Sequence, residues 1–185
     1  MTDDVLLDAE DRMSKAMDAV RRDLGTILTG RASPSLVERL TVEYYGAATP
    51  LNQLAGISVP EARLLVIQPW DRGTIGIIEK AIQKSELNLN PTNDGQVIRI
   101  AIPALTEERR KQLVKLVHNH VEEGKVAVRN IRRDAMAQVR DLLDQRAISE
   151  DDERRAEHQV DDLTKRFIDE SDKIGKAKEH EVLEV

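Results

Sequence analysis

All six prolines of this 185-residue chain, at positions 34, 50, 60, 69, 91 and 103, fall inside one window. Proline removes a backbone donor and clashes with the preceding helical turn, so helix interiors exclude it. The two proline-free arms on either side can form long helices, and the window between them cannot. Three of the four aromatic residues, Tyr44, Tyr45 and Trp70, lie in the same window. Outside it no helix breaker is stronger than Gly25, Gly30, Gly124 and Gly175. This partition predicts an α+β chain, with a helical part built by both ends and a second part inserted between them.

The arms carry helical periodicity. Residues 3 to 28 read as one amphipathic helix, with Leu6, Ala9, Met13, Ala16, Met17, Val20, Leu24, Ile27 and Leu28 recurring at three- and four-residue spacing. Gly30 stands where a C-terminal cap would be. Thr106-Glu107-Glu108 opens a second helix, a capping hydroxyl followed by acids over the positive end of the dipole. Its stripe runs Leu113, Val117, Val121, Val128, Ile131, Ala135, Val139, Leu142, and an unbroken helix to Arg146 would be roughly 60 Å long. Ser149, before Glu150-Asp151-Asp152, caps a third helix carrying Ala156, Val160, Leu163, Phe167 and Ile174. Three long apolar stripes bury one another most economically as a long antiparallel three-helix bundle.

The window has a different rhythm. Leu40, Val42 and Tyr44 alternate with polar neighbours, and 56–59, 64–67 and 97–102 read as further short strands. Residues 74–85 read as a helix, and Asn93-Asp94-Gly95 as a turn before the last strand. The expected domains are therefore a bundle from 1–30 and 105–185, and a small inserted β/α/β domain from 31–104. Two short crossings, Gly30, Arg31, Ala32, Ser33, Pro34 and Pro103, Ala104, Leu105, Thr106, are expected to act as a hinge.

Composition excludes several chemistries. No cysteine is present, which removes disulfides and thiol chemistry and suits a cytoplasmic protein. The acidic N-terminus reads as neither a secretory signal nor a transit peptide, and no apolar run approaches a membrane span. His118 and His120 lie about 200° apart on a helix and so cannot share a metal. The Glu150–Glu153 carboxylates read as cap and dipole compensation, the alternative being a divalent-cation site in a hydrolase. No phosphate loop, nucleophile elbow or H-E-x-x-H motif occurs. The expectation is a protein that is no enzyme and takes no cofactor or metal.

Charge points elsewhere. Residues 109–133 hold eight Lys/Arg against Glu122 and Glu123, in a chain whose net charge is −6. Residues 134–185 hold nine basic and sixteen acidic residues. One basic segment in an acidic chain is suited to meet a polyanion at one place. Helical phasing brings Lys111, Lys115, Arg129, Arg133 and Arg140 within about 40° of one another, with Arg132 at the edge of the apolar stripe. That face is nearly free of acids except Glu122, so local salt-bridge partners are too few to account for it. With almost no aromatics in the bundle for base stacking, backbone and shape recognition of folded RNA fits best. A helical protein-interaction scaffold is the alternative.

Several stretches carry a resemblance. They are Thr29-Gly30-Arg31-Ala32-Ser33-Pro34, Val42-Glu43-Tyr44-Tyr45-Gly46, Thr49-Pro50-Leu51, Glu79-Lys80-Ala81-Ile82 and Leu89-Asn90-Pro91. Others are Leu105-Thr106-Glu107-Glu108-Arg109-Arg110-Lys111, Val126-Ala127-Val128-Arg129-Asn130, Arg132-Arg133-Asp134-Ala135 and Ile148-Ser149-Glu150-Asp151-Asp152. In these, along nearly its whole length, the chain resembles the ribosome recycling factor family. The resemblance implies an L-shaped protein of tRNA dimensions that binds the post-termination ribosome across the aminoacyl and peptidyl sites, on large-subunit rRNA. With elongation factor G and GTP it would split the subunits, working in the cytoplasm as a monomer, away from membranes. It further implies that Arg110, Arg129, Arg132 and Arg133 grip RNA. Lys111 and Lys115 are added by phasing, and Arg31 ranks below them as a contact or hinge residue. Leu28 departs from the basic residue of some relatives, the tail after Lys173 adds nothing to the resemblance, and Trp70 is expected in the core.

Overall fold

The computed structural model describes residues 1–184. The chain divides into two compact units, one made of Met1–Leu24 with Val114–His180, the other of Gly25–Leu113 with the chain from Glu181 onward. The helices are α1 (Thr2–Gly25), α2 (Ile75–Lys84), α3 (Glu107–Asp144) and α4 (Glu150–Leu183). The strands are β1 (Thr41–Tyr44), β2 (Ala47–Pro50), β3 (Ala55–Glu61), β4 (Leu64–Pro69), β5 (Pro91–Asn93) and β6 (Ile98–Ala101).

In the first unit α1, α3 and α4 form a three-helix bundle. α3 runs 38 residues without a break, about 57 Å. Its start is capped as the sequence suggests, the Thr106 hydroxyl accepting the Arg109 N–H at 3.1 Å. At α4, Ser149 Oγ accepts the Asp152 N–H at 3.2 Å while Asp152 accepts the Ser149 N–H at 3.2 Å. This is a reciprocal capping box, with Asp in the usual Glu position. The two Ser149 hydrogen bonds, then Arg155, hold the Asp152 carboxyl below its ordinary pKa. Asp152 thus has a capping task at this helix start.

Ion pairs fix the helix directions. Arg12 meets Asp134 at 2.8 Å and Asp23 lies 4.0 Å from His120, so α1 and α3 run antiparallel. His118 meets Glu179 at 3.3 Å and Arg132 meets Asp161 at 2.7 Å, so α3 and α4 do too. Between them Met13, Met17, Val117, Val128, Val139 and Val160 are fully buried. Gly124 and Gly175 are buried inside α3 and α4 rather than ending them. A Cβ on Gly124 would collide with Val20 Cγ2, and one on Gly175 would come within 2.6 Å of Val121 Cγ2. These glycines let three helices approach closely.

The reading of α1 to residue 28 is corrected, since the helix ends at Gly25. Ser35 Oγ donates to the Gly25 carbonyl at 3.3 Å, satisfying one of the last acceptors from the side. Leu28 extends the apolar spacing because it packs on the core of the second unit, not because the helix continues. Gly30 is accordingly no helix cap; it sits in the connection with φ +79. Within this unit the Ala32 N–H donates to Ala62 O and the Ile102 N–H to Arg63 O, each at 2.8 Å.

The second unit has a four-stranded antiparallel sheet in the order β3-β4-β6-β5, and a separate β1-β2 hairpin. Alternation decides the buried face: Leu65 and Ile67 on β4 and Ile98 and Ile100 on β6 meet Ile78 and Ile82 of α2 in one aliphatic core. The hairpin turns through Tyr45 and Gly46, with φ 49 and 78. Both values are positive, as a two-residue type I′ turn requires. Trp70 corrects its expected core role, being 71% exposed, with its ring edge against Gly56. β4 has ended at Pro69, and the Trp70 N–H is bonded to Leu54 O at 3.0 Å, which leaves the side chain on the surface.

The turn before β6 is organised by Asp94. Its carboxylate accepts from the N–H groups of Val97 and Gln96, each at 2.9 Å, and from Arg99 at 2.8 Å. The Val97 bond first, then Arg99, holds this carboxyl far below the usual range. A depressed carboxyl contributes stability above its unfolded pKa of about 3.9, and that contribution is lost as pH falls through the folded value. Asp94→Asn is therefore expected to lower the urea midpoint at pH 7, by a margin that narrows progressively below about pH 4. An equal deficit at pH 7 and pH 3 would contradict this.

Candidate functional site

The seven residues proposed for RNA contact do not share one surroundings. Arg31, Arg110 and Lys111 belong to the second unit, and Lys115, Arg129, Arg132 and Arg133 to the bundle. Arg31 pairs with Glu184 at 3.5 Å, and Lys111 with Glu107 at 3.5 Å. Arg110 is half-buried in the first turn of α3, its Nε enclosed without a hydrogen-bond partner among the described residues. It lines a cavity of about 280 Å³ with Thr29, Gly30, Arg31, Arg63 and Leu105. Enclosed in this way, Arg110 offers an incoming phosphate less of its guanidinium than the exposed arginines of the bundle do.

On the bundle, Arg129, Arg132 and Arg133 fall within five successive positions of α3. Lys115 is exposed about 21 Å closer to the helix start and makes no ion pair among the described residues. The buried residues Val128, Ile131 and Ala135 fix the rotation of this stretch, so the cations between them face solvent or the α4 boundary. Arg133 is exposed and unpaired among the described residues. Arg129 Nη1 donates to Glu122 at 3.0 Å, one side chain 47% and the other 59% exposed. Arg132 Nε donates to Asp161 of α4 at 2.7 Å. Pairs this exposed are typically worth less than about 1 kcal/mol.

The expectation that this face lacks partners is thus corrected. α3 alone supplies few acids, but α4 brings Asp161 to Arg132, and Asp172 to Lys125. Asp161 was the site residue missed by reading one helix at a time. The antiparallel register could have found it, since contacts at His118, Lys125 and Arg132 step seven residues along α3 while their partners run backward along α4. Beside Arg132, a groove of about 460 Å³ is lined by Met136, Arg140, Asp141, Glu157 and Asp161. Three carboxylates against two guanidiniums do not make an anion pocket. The cations left most open to solvent in this stretch are therefore on the Arg129–Arg133 side of α3.

The family model for ribosome recycling factor matches residues 20–183. The chain belongs to the ribosome recycling factor family. The ribosome-recycling factor of Thermomicrobium roseum is 62% identical over 185 residues, covering all of both chains. That of Halalkalibacterium halodurans is 57% identical, again over the full length of both. A solution structure of a ribosome recycling factor, 46% identical, superposes with a TM-score of 0.81 over 100% of this chain and 98% of the other. The T. thermophilus factor, 43% identical with a TM-score of 0.71 over the whole of both chains, is placed with E. coli elongation factor G on the E. coli post-termination complex. The α+β architecture, a helical bundle built from both chain ends with a small β domain inserted in sequence between them, agrees with that membership.

Proposed function

We propose that this chain is a ribosome recycling factor that binds the post-termination ribosome and, with elongation factor G and GTP, splits it into subunits. The observation that carries this reading is family membership over the full length of the chain. The chain hydrolyses nothing in this reading, and the GTPase supplies the energy in the cytoplasm. Among the described residues no helix is long and apolar enough to cross a membrane.

Arg129, Arg132 and Arg133 anchor the bundle to large-subunit rRNA across the aminoacyl and peptidyl sites, with Lys115, Lys111, Arg110 and Arg31 as lesser contacts. Three observations support the anchor: rigid packing beneath those side chains, their exposure, and a chain otherwise acidic enough to be repelled elsewhere. The translocase pushes the inserted domain, and the connections Gly30–Pro34 and Pro103–Thr106 transmit or absorb the motion. Splitting follows because the anchored bundle strains the contacts that join the subunits.

Light scattering of 70S post-termination complexes tests this. Adding the protein with its cognate elongation factor G and GTP is expected to lower the scattering well beyond the translocase-alone control. No loss above that control would refute the proposal.

A further inference from the structure

The two paired arginines of the basic face are held at different atoms. Arg132 gives its carboxylate partner Nε, which leaves both Nη groups without a hydrogen-bond partner among the described residues. Arg129 gives Nη1 to Glu122 and so has part of its terminal fork occupied. A guanidinium binds phosphate best through a pair of adjacent N–H groups in one plane. Asp161 thus holds Arg132 by an atom that a phosphate on the Nη pair does not need. Glu122 holds Arg129 by an atom that the phosphate does need.

Their placement separates them in the same way. Asp161 comes from α4 and pins Arg132 across a helix boundary, so the guanidinium is held from outside its own helix. Glu122 lies seven residues from Arg129 on α3 itself, on the face that would meet RNA. We infer that Asp161 is a positioning residue for RNA binding, orienting Arg132 with its Nη pair available, whereas Glu122 is a competitor that phosphate must displace. The inference rests on the RNA-binding reading of this face and adds an opposite sign to two carboxylates that simple charge counting treats alike.

The physical basis is side-chain order. A free arginine must surrender rotamer freedom when it docks, and that entropy opposes binding. A guanidinium already held at Nε has surrendered much of it. Deleting Asp161 also removes a negative charge near the RNA, which by itself would tighten binding. The sign of the outcome decides between the two effects.

The test measures binding of the full-length protein to purified large ribosomal subunits at fixed salt. Asp161→Ala is expected to weaken binding about threefold to tenfold. Asp161→Asn keeps an oxygen acceptor for Nε and loses the charge, so it is expected to bind at least as tightly as the wild type. Glu122→Gln is expected to tighten binding. In an Arg132→Ala background, Asp161→Ala should no longer weaken it, because Asp161 acts through Arg132. Thermal melts check that Asp161→Ala, at an exposed position, leaves the fold intact. Tighter binding by Asp161→Ala, or equal weakening with and without Arg132, overturns the inference while leaving the functional reading in place. Failure of the wild type to bind large subunits overturns both.

Discussion

Replacing Arg129, Arg132 and Arg133 together by alanine is expected to weaken binding to the large ribosomal subunit by about a hundredfold to a thousandfold. Each guanidinium that meets a phosphate contributes a charge-assisted hydrogen bond, on the order of 1.5 kcal/mol at an exposed surface, and Arg129 gives back part of this in leaving Glu122. Three lost phosphate contacts should also flatten the dependence of log affinity on log salt by about 2 to 3. The informative control removes the same charge elsewhere. Lys165, Lys173 and Lys176 on α4 are exposed and carry no ion pair among the described residues. Their triple alanine variant changes net charge equally and is expected to alter affinity only slightly. Equal losses from both variants would mean that overall charge, and not this face, governs binding.

The second large effect concerns packing. Gly124→Ala and Gly175→Ala would each gain up to about 1 kcal/mol of helix propensity, and on that ground alone should stabilise the bundle. The structure reverses the sign. The new methyl at 124 collides with Val20 and that at 175 with Val121, both valines being buried between helices. A β-branched side chain has few alternative rotamers to retreat into, so helices must shift, at about 1–3 kcal/mol per site. The double variant is expected to lose up to about 4 kcal/mol net, lowering Tm by about 2–4 °C for each kcal/mol. Gly76 on α2 has nothing within 4 Å of its missing Cβ. Gly76→Ala should instead stabilise by about 0.4–1 kcal/mol. A rise in Tm for the double variant would contradict the close-approach account, and Val20→Ala should partly rescue Gly124→Ala.

These predictions divide along what sequence alone makes visible. Proline confinement and long aliphatic periodicity expose the bundle, because helix interiors exclude proline and each helix must bury its stripe. Strand content was harder to read. β2 and β5 are short, and the β1-β2 hairpin turns on Tyr45-Gly46 in place of an Asn-Gly or Asp-Gly pair. Ile27 and Leu28 extended α1 too far on paper because an apolar residue at helical spacing gives no sign of which core it serves. Trp70 went astray for the opposite reason. A large aromatic suggests burial, but its strand ends one residue earlier, which leaves the ring on the surface.

The basic face was legible as a phased stripe, since phasing needs only one helix. Its partners were not, since Asp161 lies 29 residues away on another helix and becomes a neighbour only through the antiparallel register. The same limit explains Gly124 and Gly175. As letters they are helix weakeners, and only the valines opposite show them to be spacers.

The most direct test of the anchored-lever account compares the wild type and the Arg129→Ala/Arg132→Ala/Arg133→Ala variant in GTP-driven splitting of post-termination 70S complexes, at protein concentrations that saturate binding for each. The account predicts that the wild type splits the complexes and that the variant, even when bound, splits them far more slowly, because a bundle without its footing slips under load. Splitting by the bound variant at the wild-type rate would contradict it.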